Sequence, residues 1–248
     1  MKPDTTVNET KLLPITTLTE YSHPCSYLPG REARTEFVFA GRVRAAMYGR
    51  LLARGFRRSG HMIYRPNCAG CRECQPIRAL TESFRPDRSM RRNWRTNQDL
   101  VARIAQPRLS AEKRDLYARY LSVRHDKESS EGLDDFLYAT PVDSLEIEFR
   151  LNGTLVGVAI ADVVPTGLSA VYTYFEPQLA SRGLGTFAVL WQINFCRERR
   201  RPHLYLGYFV RDCRKMNYKN RFVPHEILGP DGQWHRPVLV AANAVETE

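Results

Sequence analysis

LEIEFRLNGTLVGVAIADVVPTGLSAVYTYFEP, residues 145–177, is the stretch that sets the fold class. It holds three β-rich runs, Leu145–Leu151, Thr154–Val164 and Leu168–Phe175, parted by Asn152-Gly153 and by Pro165-Thr166-Gly167. Turn residues of this kind between apolar runs mark hairpins, so the three strands are predicted to be antiparallel neighbours. Pro177 stops the third strand. SRGLGT, residues 181–186, then opens a helix predicted over Thr186–Arg200, Pro202 ends it, and His203–Val210 reads as a further strand. Meander, helix, strand predicts an α+β fold: a mixed, mostly antiparallel sheet with flanking helices.

Upstream the elements are shorter. Val43, Met47, Leu51 and Leu52 recur at helical spacing between Gly41 and Arg54, and Gly55 ends that helix. Phe56–Tyr64 reads as an exposed strand and Ile77–Phe84 as another. A helix begins near Asp87 or Ser89, either of which can cap it. Ser110–Arg124 is predicted helical with Leu116, Tyr120 and Val123 on one face, and Glu131–Tyr138 is a shorter helix. His23–Arg34 is broken by Pro24, Pro29 and Gly30 and reads as loop, and residues 1–20 are polar and expected to be poorly ordered. The expected division is a smaller N-terminal Cys-bearing region, 1–75, and a transfer domain, 76–248.

The chain has 37 Lys and Arg against 27 Asp and Glu, a formal net charge of +10, with arginine supplying most of the cations. Such a balance makes nucleic acid or nucleotide a candidate partner, against the alternative of a basic surface with no specific partner. No apolar run is long enough to span a bilayer. MKPDTTVNETKLLP at the N-terminus lacks the apolar centre of a signal peptide, so no membrane partner and a cytoplasmic location are expected.

Two segments carry the chemistry. In GFRRSGHMIYRPNCAGCRECQPIR, residues 55–78, Cys68, Cys71 and Cys74 are spaced C-x2-C-x2-C among Arg57, Arg58, Arg65, Arg72 and Arg78. Thiols at this spacing can bind zinc or an iron–sulfur cluster, or act as redox-sensitive nucleophiles, and a cationic setting is expected to lower their pKa. Cys196 reads as core, and Cys213 as either core or loop. In residues 204–228, Tyr205, Tyr208, Phe209, Tyr218 and Phe222 interleave with Arg211, Arg214, Lys215, Lys219 and Arg221. Rings can stack on bases while cations meet phosphates, which favours single-stranded nucleic acid over a solvated basic loop.

The order meander, glycine turn, helix, strand is similar to the core of GCN5-related N-acetyltransferases. There the turn aims backbone N–H groups at a pyrophosphate, and Gly183 and Gly185 suit such an approach. An ordinary acetyl-CoA-dependent acetyltransferase is thus one alternative. A non-catalytic RNA-binding module with structural zinc is a second.

CSYLPGR (25–31), GFRRSG (55–60), YRPNCAGCRECQPIR (64–78), SFRPDRSMRRN (83–93) and LGYFVRDCRKMNYKNRFVPHEIL (206–228) together resemble the bacterial aspartate/glutamate leucyltransferases, relatives of the arginyl-tRNA–protein transferases. The resemblance implies an acetyltransferase-like core that moves leucine from leucyl-tRNA to the N-terminal amine of proteins beginning with Asp or Glu, marking them for degradation in the N-end rule pathway. Arginyl transfer to the same acceptors is the alternative. It implies no required cofactor, with Cys25, Cys68, Cys71 and Cys74 as a candidate set for an iron–sulfur cluster or zinc, or as reduced thiols. In that reading the glycine turn, with Arg182, Gly183 and Gly185, is assigned to the acyl group or RNA 3′ end. Lys215, Tyr218 and Lys219 are assigned to tRNA, with Tyr218 also a catalytic candidate. Arg31, Arg57 and Arg78 are assigned to the acidic acceptor or phosphate. Asp212 and Glu226 are the candidates to hold or deprotonate the amine.

Overall fold

Four strands near the N-terminus, β1 (Thr19–Pro24), β2 (Glu32–Phe39), β3 (Arg57–Ser59) and β4 (Met62–Pro66), pair antiparallel in the order β1-β2-β4-β3. They come from a computed structural model that describes residues 18–124 and 132–237. Residues 1–17, with the signal-peptide expectation, and Glu131 of the predicted third helix lie outside the described residues. Phe56–Tyr64 is therefore two strands and a turn rather than one exposed strand. Gly60, at φ +55°, turns the chain where a Cβ would stand 2.1 Å from the Asp135 carbonyl oxygen. Arg58 and Ile63 are buried on it. His23 and Pro24 belong to β1, and Glu32 to Arg34 belong to β2, so only the middle of the expected loop is loop.

Helix α1 (Ala45–Ala53) joins β2 to β3. Its Tyr48, Leu51 and Leu52 pack with Phe56 and Ile63 of the first sheet and with Val164 and Tyr205 of the second, so one apolar cluster binds the two sheets together.

The second sheet has eight strands in the order β12-β11-β5-β10-β9-β8-β7-β6. They are β5 (Gln75–Leu80), β6 (Leu100–Ala105), β7 (Ser144–Leu151), β8 (Thr154–Val164), β9 (Gly167–Phe175), β10 (His203–Phe209), β11 (His225–Leu228) and β12 (Trp234–His235). The β7–β8–β9 meander falls where its turns predict, with Asn152 and Gly153 both at positive φ. β8 is buried on both faces. Leu155, Val158 and Ile160 meet one core cluster, and Val156, Ala159 and Ala161 meet others. Each fully buried Val or Ile of this kind contributes roughly 1.5–3 kcal/mol.

Helix α3 (Ala111–Arg124) covers one face with Leu116, Tyr117 and Leu121. Val123, expected on that face, is 65% exposed, because the buried stripe runs through Tyr117 and Leu121 instead. The predicted third helix is a single wide turn, Asp134–Tyr138. Helix α4 (Leu184–Glu198) covers the other face, pressed by α2 (Arg88–Thr96) from outside, which is why it is apolar nearly all round. Cys196, on α4, is buried in that core as expected.

All strand pairs of the second sheet are antiparallel except β9–β10. That parallel pair joins only Gly167–Ser169 to His203–Tyr205. Beyond Tyr205, β10 shifts register at Gly207 and stays with β5, leaving the edge of β9 from Ala170 onward unpaired on that side.

Candidate active site where two parallel strands part

Arg57 lies at the gap left by β9 and β10. β3 delivers it, and its Nη1 donates to Ser169 Oγ at 2.8 Å while its Nη2 donates to the Ala170 carbonyl. A Cβ on Gly207, which sits at φ +87°, would lie 3.5 Å from three atoms of the guanidinium. Glycine is thus favoured by the positive φ of the bend in β10, and the arginine packs directly over it. Among the described residues no carboxylate forms an ion pair with Arg57. Its charge reaches Tyr27, Tyr64, Tyr208, Tyr218 and Lys219, whose ionisations all respond to it. A half-buried cation held by a hydroxyl and a carbonyl, with its charge unneutralised, is a binding point for an anion.

Lys219 is placed differently from its expected contact with tRNA. A short helical turn, Asn217–Arg221, follows β10 and turns this side chain inward. The amine is buried and donates to the Tyr208 carbonyl at 2.7 Å. Burial, and then the charge of Arg57, bring it down to about 7. A buried amine cannot neutralise a phosphate in solvent, so its role is to close the end of β10. Tyr218, next to it, remains 43% exposed with its ring edge toward Phe222. Asp212 and Lys215 are exposed on the turn between β10 and this segment, and Cys213 is buried.

Arg78 and Glu226 face each other across β5 and β11 and pair at 2.7–2.8 Å. The guanidinium also lies 4.2 Å from the centroid of Trp234. Each is thereby committed to the other, which leaves neither free as an acceptor-binding arginine or a base. Nearby His203 is lowered to about 4, first by burial and then by Arg78.

Arg182 pairs with Asp99 at 2.6 Å. Its carbonyl accepts from the side-chain amides of Asn93 and Asn97. Gly183, at φ +62°, begins α4 where a Cβ would stand 2.7 Å from Asn93 Nδ2, and a Cβ on Gly185 would stand 3.3 Å from Phe175. The glycine turn is therefore packed against α2 and β9. Its tightness has a structural cause whether or not a ligand meets the helix.

Cys25, Cys68, Cys71 and Cys74 line one cavity of about 230 Å³ with Tyr27 and the exposed Arg31. Its wall includes Tyr64 and Tyr208, so it adjoins the Arg57 gap. The Cys74 thiol is pushed up to about 12, first by burial and then by Cys25, Cys68 and Cys71. For Cys74 this is opposite to the expectation from the surrounding arginines: burial outweighs them, and Arg58, Arg65 and Arg78 are paired with Asp162, Glu36 and Glu226. Among the described residues no group of three or more His, Cys, Asp or Glu is arranged to hold a metal ion.

The structure thus brings Arg57, Tyr218, Lys219 and the cysteine cavity together, and sets Arg78–Glu226 and Arg182–Gly185 apart in packed roles. Sequence reasoning missed Gly207, Ser169, Tyr27 and Tyr64. Gly207 left a signal, since a lone glycine inside a strand pattern points to a bulge or a close backbone approach.

The fold is thus mixed α+β, with an arginine free of carboxylate partners among the described residues where two parallel strands part. Models of the N terminus and the C terminus of arginine-tRNA-protein transferase match residues 23–92 and 112–229, and the chain belongs to that family. Within it, the chain is 47% identical over 218 residues to the aspartate/glutamate leucyltransferase of Marinobacter nauticus, covering 86% of this chain and 92% of that one. It is 42% identical over 231 residues to the aspartate/glutamate leucyltransferase of Nitrosospira multiformis, covering 90% and 92%. Among solved structures, L-PGS from Bacillus licheniformis aligns with a TM-score of 0.45 at 13% identity, over 55% of this chain and 45% of that one. No described helix is long and apolar enough to cross a membrane.

Proposed function

We propose that the protein transfers leucine from leucyl-tRNA to the N-terminal amine of proteins beginning with Asp or Glu, in the cytoplasm, and so marks them for degradation. Family membership and the names of the relatives support the reaction. One observation carries the site: the unneutralised Arg57 guanidinium at the gap between β9 and β10. In this reading the acceptor's side-chain carboxylate docks on Arg57. Its α-amine attacks the leucyl carbonyl, an N–C bond forms, and the C–O bond to the terminal ribose breaks. The proton lost by the amine is balanced by the one gained on the ribose oxygen.

Such an ester is already activated, and an α-amine has a pKa near 8, so positioning and oxyanion stabilisation supply most of what the step needs. No electrons move, and the step calls for no bound group. The four cysteines then shape the acceptor side of the site, and residues up to 75 serve it while the rest of the chain holds the acyl-tRNA. The parting of a parallel strand pair beside a helix supports an acetyltransferase-like core.

The test offers leucyl-tRNA and arginyl-tRNA to the protein with peptides beginning Asp, Glu, Asn or Lys. Leucine should appear on the Asp and Glu peptides alone. Transfer of arginine, or transfer to Lys, defeats the assignment.

A further inference from the structure

A second basic region is not used by this chemistry. α2 carries four arginines in nine residues, Arg88, Arg91, Arg92 and Arg95, all exposed. Among the described residues none of them forms an ion pair with a carboxylate, and neither does Arg197 of α4. Like charges at i,i+3 and i,i+4 cost a helix roughly 0.2–0.5 kcal/mol per pair, so the stripe opposes the stability of α2 unless an external anion meets it.

The stripe borders a groove of about 340 Å³ between α2 and α4. Phe84, Trp94 and Ile193 form its floor, and Arg91, Arg95 and Arg197 stand on its rim. Asn194, in the wall, already bonds Glu198 and Arg197, so its amide is not free to read a base edge. Arg221 donates to Ser89 Oγ at 3.0 Å, and this joins the start of α2 to the turn that carries Tyr218 and Lys219. The start of α2 and the turn beside the Arg57 gap are therefore joined by an exposed arginine.

We infer that the α2–α4 groove holds one unstacked nucleotide of the RNA donor, its base on Trp94 and its flanking phosphates among Arg91, Arg95 and Arg197. An apolar floor under an arginine rim fits that occupant, since every base has a face to stack while the phosphates are fixed by charge. The inference rests on the donor being a tRNA. It assigns a place on the protein to the body of that RNA, away from the reacting ester.

Arg91→Glu/Arg95→Glu and Arg197→Glu change exposed side chains, and circular dichroism checks that they fold. Binding of uncharged tRNA should weaken at least ~10-fold in the double variant, and its salt slope should fall by roughly two, one for each phosphate that is no longer neutralised. Trp94→Leu keeps an apolar side chain against Phe187 and should weaken tRNA binding ~5- to 150-fold through the loss of stacking. Transfer from leucyl-tRNA should fall, while transfer from 2′(3′)-O-leucyl-adenosine, which has no phosphate, should not change. Unchanged tRNA binding in the charge-reversed protein overturns the inference. So does intact tRNA binding with a raised KM for the acceptor peptide, which would give the groove to the protein substrate. A wild type that transfers from neither donor defeats the functional reading alone, and the groove is then judged by tRNA binding, which needs no turnover.

Discussion

Arginines on the sheet side of this molecule and arginines on α2 have the same side chain and opposite situations. Arg57, Arg58, Arg78 and Arg182 each reach across the fold to a fixed partner, more than 80 residues away in the sequence. Arg88, Arg92 and Arg95 reach into solvent. Three of the first group, Arg58, Arg78 and Arg182, are neutralised by Asp162, Glu226 and Asp99, so they add nothing to the net charge of +10. Arg58 is the extreme: it pairs with Asp162 with both side chains fully buried, and Ser144 donates to the same carboxylate. Removing either charge should hurt the fold, whereas removing a charge from α2 should hurt only what α2 binds.

Breaking the Arg58–Asp162 pair is the strongest way to test that contrast. Asp162→Ala leaves a buried guanidinium without its anion, and this should cost about 3–5 kcal/mol in urea denaturation. The double change Arg58→Met/Asp162→Leu should recover most of the loss. A cost under about 1 kcal/mol for Asp162→Ala would remove the distinction between the two classes of arginine.

Arg57 sits between the classes, since its partners are neutral and its charge is spare. Arg57→Lys keeps a cation but cannot reach both Ser169 and the Ala170 carbonyl in the same fork. Transfer to Asp and Glu peptides should drop ~10- to 150-fold in kcat/KM, corresponding to about 1.5–3 kcal/mol for hydrogen bonds to a charged group. The affinity for tRNA should stay as it is. A parallel loss of tRNA affinity would move Arg57 to the RNA side and leave the acceptor carboxylate without a site.

The meander was legible because its turns are chemically marked and its strands are long. The strand Leu100–Ala105 was not, because LVARIA on a sheet edge exposes Val101, Arg103 and Ile104 and carries no turn signal. β1, β2, β11 and β12 escaped for a related reason: pairing across distant segments makes them strands, and local pattern barely does. At the site, residue type pointed to Arg57 and to the cysteines, whose neighbourhood with the C-terminal motif follows from β5 pairing with β10. Partner choice was beyond reach. Nothing in the spacing of Arg78 and Glu226, 148 residues apart, announces that they neutralise each other. Nor does the run KMNYKNR say that Lys215 faces water and Lys219 the interior.

Lys219 extends the comparison to a cation the fold holds at the edge of ionisation. Its amine is lowered from 10.5 to about 7 by burial and by Arg57. Between those values the unfolded chain holds a proton that the folded chain does not, so this group's share of stability rises with pH. Below pH 7 the penalty is fully present. Between pH 6 and pH 8 the gain should be about 1.4 kcal/mol, and Lys219→Met should remove that part of the slope. A slope unchanged by the substitution would mean that the amine keeps its proton in the folded protein, and that the interior tolerates two neighbouring cations.

On the α2 side the smallest effect is the most selective. Asp87 caps the helix, accepting from the Met90 N–H at 2.8 Å and from Ser89, and the Met90 bond foremost holds its carboxyl below the usual aspartate range. With four arginines after it that have no carboxylate partner among the described residues, α2 depends on this cap and on Met90, which is buried against the core. Asp87→Ala should cost about 1 kcal/mol. The sign of the pH dependence follows from the lowered carboxyl: the cap's charge contributes above the ordinary aspartate pKa and is lost as pH falls through the folded value. The difference between wild type and Asp87→Ala should therefore shrink in acid, while Asp87→Asn, which keeps a capping oxygen, should fall between them at neutral pH. Transfer from leucyl-adenosine should be indifferent to all three side chains. If it is not, α2 reaches the reacting end of the donor, and the two regions of arginine are one site.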